Sequence, residues 1–133
     1  MTHEMLVDPE ALCAELLTLD SAIRFVGITN KMGRLVASKF RQGLQQLLTS
    51  EELESNALKA ALRMKTREDY ELRLGRIIYT FALYDKVKRA SIALDDSHYS
   101  LLLVSFDTNA DHEPIILNKL LPRIRQHHLI TEA

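Results

Sequence analysis

Cysteine, glycine and long apolar runs are all scarce in this 133-residue chain, and each shortage excludes a class of protein. One cysteine, Cys13, cannot form an intrachain disulfide, so core packing must hold the fold, and 47% hydrophobic residues at this length supply enough. Cys13 lies among Leu12, Leu16 and Leu17, on or beside an apolar helical stripe where a thiol is ordinarily inert. The four glycines, Gly27, Gly33, Gly43 and Gly75, are scattered and form no loop that cradles phosphate. Apolar stretches such as Leu101 to Val104 fall far short of the roughly 20 residues of a membrane span. The N-terminus also lacks a basic region followed by an apolar run. These absences predict a cytoplasmic protein, with one domain over residues 1–133.

Signatures of chemistry are missing too. Ser38, Ser91 and Ser105 fall in strand-like patterns without a Gly-x-Ser-x-Gly elbow, and no histidine neighbours Cys13. Asp107 to Asp111 has the opening spacing of a calcium loop, but the sixth position is His112 instead of glycine and the twelfth is Asn118 instead of glutamate. Asp111 or Glu113 therefore reads as the cap of the helix that follows. His98, His112 and the pair His127-His128 lack metal-ligand spacing and read as surface residues. No enzymatic activity, metal or cofactor is expected.

The chain does contain a clear order of patterned segments. Asp8-Pro9 opens a helix carrying Leu12, Leu16 and Leu17. Ile23 to Ile28 and Arg34 to Phe40 flank the turn 29–33, where Asn30 and Gly33 supply the turn chemistry. Thr49 and Glu52 have the spacing of a capping box, followed by Leu53, Ala57, Leu58, Ala61, Leu62 and Met64 as the expected buried face. Thr66 to Asp69 resembles a further helix start, so 67–74 reads as a second short helix or a kinked continuation. From Arg76 the period changes to strands over 77–84, 87–94 and 98–106 with short turns, an antiparallel meander. The first and third of these are apolar on both faces, which predicts helices on both sides of the sheet. Pro114 opens a last helix that Pro122 should kink or end.

Charge is segregated despite a net value of -1. Residues 1–20 carry Glu4, Asp8, Glu10, Glu15 and Asp20 with no Lys or Arg, and 21–50 carry Arg24, Lys31, Arg34, Lys39 and Arg41 with no Asp or Glu. The five cations are the candidate site, an anion or partner surface. The competing reading pairs them internally with the acids of the first helix. Nucleic acid is a further alternative, with Arg24, Arg34, Lys39, Arg41, Lys86, Lys88 and Arg89 converging on one sheet surface and Tyr79, Phe81, Tyr84 and Tyr99 stacking on bases. Near-zero total charge and the acidic block at Asp95, Asp96, Asp107, Asp111 and Glu113 argue against it.

The order helix, two strands, helix, three strands, helix, with the hairpin Phe25 to Ser38, resembles the roadblock and profilin-like domains. The segments Asn30 to Arg34 and Lys86 to Arg89 also resemble a family of small archaeal proteins, a likeness that implies no activity. The roadblock resemblance implies an α+β fold: a five-stranded antiparallel sheet with helices on both faces, the middle helix split or kinked. It also implies a homodimeric regulatory module with a small GTPase among its partners. The hairpin's outer strand is one interface for that dimer, since an uncovered sheet edge invites pairing. Profilin-like folds include ligand-sensing domains of the PAS type, so a pocket between the sheet and the 53–74 helical region is the alternative.

Overall fold

The computed structural model describes residues 7–131. Helix α1 (Pro9–Leu17) begins where Asp8 accepts the Glu10 amide at 3.1 Å and Pro9 occupies the first helical turn. Leu12, Cys13 and Leu16 form its buried stripe. Burial, helped by the charge of Glu10, pushes the Cys13 thiol up to about 12, so the sulfur stays protonated and shielded. Ellman's reagent at neutral pH is therefore expected to leave the native chain unmodified and to titrate one thiol once denaturant is added. Rapid labelling of native protein would mean that α1 does not stay docked.

Strands β1 (Ile23–Asn30) and β2 (Leu35–Phe40) form the hairpin, with Phe25 opposite Phe40 and Ile28 opposite Ala37. The Asn30 side-chain oxygen accepts the amides of Met32 and Arg34 at 2.9 and 3.0 Å, and Gly33 stands at φ +79°. Both expected turn residues thus shape the turn. A long connection then reaches helix α2 (Ser50–Glu68), whose capping box is complete: the Glu52 amide donates to Thr49 at 3.1 Å and the Thr49 amide to Glu52 at 2.9 Å.

The buried face of α2 differs from the expected one. Ala57, Ala60 and Met64 meet the sheet, with Leu53 and Ala61 partly buried, while Leu58 and Leu62 are 46% and 57% exposed. Alanines let the helix backbone approach the strands, and this close seat turns the two leucines outward. The expected helix start at Thr66 is also displaced. Thr66 instead lies in the last turns of α2, its hydroxyl donating to the Arg63 carbonyl at 2.7 Å, and a single-turn helix α3 (Glu71–Leu74) follows.

Strands β3 (Tyr79–Leu83), β4 (Lys88–Ala93) and β5 (Tyr99–Phe106) form the meander. Antiparallel pairing of β5 with β1 closes a five-stranded sheet of order β2-β1-β5-β4-β3. Helix α4 (His112–Ile115), a widened π turn (Ile116–Leu120) and helix α5 (Leu121–Gln126) complete the chain. The π turn sits directly before Pro122, which has no amide to give and whose ring crowds the preceding turn, so the helix accommodates the proline by widening.

Two layers of core follow from strand alternation. Val26, Ile28, Ala90, Ile92, Leu102, Val104 and Phe106 meet α1 and the C-terminal helices on one face. Phe25, Leu101 and Leu103 meet α2 on the other, together with Leu35 and Phe40. Central β5 is covered on both sides, as its sequence predicts. β3 is not: Phe81 is 37% exposed, Leu83 68% and Ile78, just before the strand, 56%. It is an edge strand whose Tyr79 packs on the α1-side core layer while Phe81 and Leu83 stay outside it, so apolar sequence there does not mean burial.

Candidate functional site

The five basic residues of the hairpin do not form one patch. Arg24 and Arg41 lie at its base and both grip Asp107: Arg41 through Nη1 and Nη2 at 2.8 and 3.0 Å, Arg24 through Nη1 at 3.2 Å. Arg41 also donates to the Ser21 carbonyl at 2.8 Å. Lys31 lies in the turn at the opposite end with Arg34 just after it, and Lys39 is an exposed residue of β2 between the turn and the base. The wider cation set is likewise divided: Lys88 donates to the Ala110 carbonyl at 2.6 Å, and Arg89 reaches over the Tyr84 ring on the α2 side.

Internal pairing follows a different plan from the one the charge blocks suggest. The acids of the first helical region pair with the C-terminal helices rather than the hairpin: Glu15 accepts from Arg123 at 2.7 Å and lies 3.0 Å from His127, and Asp20 accepts from Lys119 at 2.8 Å. Glu4 lies outside the described residues. Asp111 stands at the cap of α4 but its side chain makes no capping bond.

Three carboxyls are consequently held below their usual range. Arg41 foremost, with Arg24, lowers Asp107 against the opposing effect of burial; Arg123 foremost, with His127, lowers Glu15; and Lys119 with the Ala22 amide lowers Asp20. Each favours the folded state wherever the unfolded carboxyl would also be ionised, above its ordinary value of 4.5 for Glu15 or 3.8 for the two aspartates. That contribution is lost as pH falls through the lowered folded values. The urea midpoint should therefore decline steadily as pH drops below about 4.5, and in Asp107→Asn the decline should be shallower. An equal pH slope in both chains would contradict the clamp.

Of the two sheet edges, β2 is the better covered. Leu35, Ala37 and Phe40 are drawn into the two core layers between α1 and α2. Among the described residues the β3 edge lacks that cover. Ile78 bonds inward through its carbonyl to Ala93 and Tyr84 through its amide to Val87, so alternation leaves the amides and carbonyls of Tyr79, Phe81 and Leu83 facing outward. The side chains of the same three residues line up on the α4 side, where Phe81 stacks on the His112 ring at 3.8 Å and 9°. Leu72 and Leu74 of α3 add two fully or largely exposed leucines nearby in sequence. Backbone valence and apolar side chains thus coincide on one edge, a combination natural sheets avoid unless something pairs there. Sequence reading had no marker for this: Phe81 and Leu83 differ from core strand residues only in being last in the sheet.

Solved structures share this architecture over nearly the whole chain. The gliding protein MglB of Thermus thermophilus superposes with a TM-score of 0.66 at 16% identity, covering 92% of this chain and 95% of its own. The roadblock/LC7 domain from Streptomyces avermitilis gives 0.66 at 12%, covering 92% and 98%. MglC from Myxococcus xanthus gives 0.54 at 11%, covering 88% and 96%. The chain therefore has the roadblock/LC7 fold, an α+β architecture with helices on both faces of its sheet. No family model and no curated protein sequence matches it.

Proposed function

We propose that this protein is a non-enzymatic, cytoplasmic regulatory module that works as a homodimer joined through its β3 edges. The single observation that supports this reading most is the open β3 edge, with outward main-chain groups and exposed Phe81 and Leu83. A twofold axis at Phe81 sets it against its own copy and sets Tyr79 against Leu83 of the second chain, which forms about six main-chain hydrogen bonds and a continuous ten-stranded sheet. The hairpin edge is the weaker candidate, because β2 is already flanked on both faces.

The partner class is a small GTPase, the role that roadblock-type domains suggest. The structural likeness to MglB, one form of which was solved in a tetrameric arrangement, supports a module that assembles. No helix among the described residues is long and apolar enough to cross a membrane, which accords with this reading.

Sedimentation velocity tests the pairing. The wild-type chain should run as a dimer at tens of micromolar. Phe81→Glu places two carboxylates face to face on the axis, and like charges directly opposite in a sheet repel, so that variant should run as a folded monomer. Monomeric wild type, or dimeric Phe81→Glu with an unchanged circular dichroism spectrum, would overturn the β3 seam.

A further inference from the structure

The 41–49 connection between β2 and α2 has no helix or strand, yet it carries three leucines. Leu44 and Leu48 are only half-buried and Leu47 is 49% exposed. These side chains do not complete either core layer. They form one wall of a cavity of about 470 Å³, whose floor is the Phe25–Phe40 ring pair with centroids 4.7 Å apart. Leu53 at the start of α2 closes one side, and the β3–β4 turn with Tyr84, Lys86 and Val87 closes another. That volume lies within the roughly 300–1,000 Å³ of small-molecule sites, and a mostly apolar lining with a few polar groups is their usual composition.

The charges in the wall are unequal. Arg24 is committed to Asp107, whereas Lys86 and Arg89 have no carboxylate partner among the described residues; Arg89 lies 5.8 Å over the Tyr84 ring. Asp85 is the one acid in the lining, so the turn end of the cavity carries a net positive charge. An apolar wall with a cationic end is complementary to one kind of molecule. We infer that this cavity binds an elongated apolar monoanion, an acyl or aryl chain ending in a single carboxylate. The chain packs on Phe40, Leu44, Leu47 and Leu53, and the carboxylate meets Lys86 and Arg89. All of these residues come from one chain, so the site does not depend on the β3 pairing.

Titration calorimetry on the full chain, with sodium decanoate below its micelle concentration and with 1-decanol as the uncharged counterpart, tests the assignment. Decanoate should saturate at one per chain, with 1-decanol at least tenfold weaker. The double variant Lys86→Gln/Arg89→Gln should lose at least tenfold in decanoate affinity and leave 1-decanol unchanged. Leu47→Asp, at a half-exposed position that the fold tolerates, should weaken both ligands. No saturable decanoate binding, equal binding of the alcohol, or an unaffected double variant would overturn the inference. Those outcomes are read independently of oligomeric state, so the site and the dimer stand or fall separately.

Discussion

Gly33→Val should cost about 3 kcal/mol of folding stability, measured as a lower urea midpoint at unchanged slope. Two separate terms act. At φ +79° a β-branched residue adopts a backbone conformation that its Cβ disfavours. A Cβ built there also lies 3.0 Å from Leu58 Cδ1, 3.3 Å from Ala61 Cβ and 3.4 Å from the Leu58 Cα, so the turn presses directly on α2. The leucine tip can swing aside; the Ala61 Cβ at 3.3 Å, fixed to the helix backbone, cannot give without shifting α2. Gly33→Ala retains both terms in milder form and should fall between. An unchanged midpoint in Gly33→Val would mean that the turn does not pack against the helix.

Ala57→Asp should be the most damaging substitution on α2, with a loss above about 3 kcal/mol, whereas Leu62→Asp should stay within about 0.5 kcal/mol. Ala57 is fully buried where the helix meets the sheet, in a layer made of Phe25, Ala60, Met64, Leu101 and Leu103, so a carboxylate there would lose its water to an apolar surround. Leu62 is 57% exposed and belongs to neither core layer. By hydrophobicity alone the order would be reversed. The pair of chemical denaturation curves thus reports which face of α2 is inward.

That contrast also shows what could be read before the structure. Local chemistry was legible residue by residue: the Asp8 cap, the Thr49–Glu52 box, and the Asn30 and Gly33 turn all act as their types require. Element order and the antiparallel meander followed from the change of period near Gly75. Properties set by distant neighbours were not legible. Leu58 and Leu62 match the helical period as well as Ala60 does, and only the close seat on the sheet decides between them. The apolar run at 77–84 looks like a buried strand, and only the strand order makes it an edge. The basic hairpin reads as one surface in sequence, but Asp107, 66 residues beyond Arg41, claims two of its five cations. The apolar side chains at 44–48 make a cavity wall only because the β3–β4 turn lies across from them, which their local sequence does not encode.

Amide hydrogen exchange at two protein concentrations reads the β3 seam strand by strand. At a concentration where the chain is dimeric, the outward amides of Tyr79, Phe81 and Leu83 should be protected. Dilution below the dissociation constant should expose those three amides while leaving the outer amides of β2 unchanged. Protection that appears with concentration on β2 instead, or fast exchange of the β3 amides at every concentration, would contradict the account.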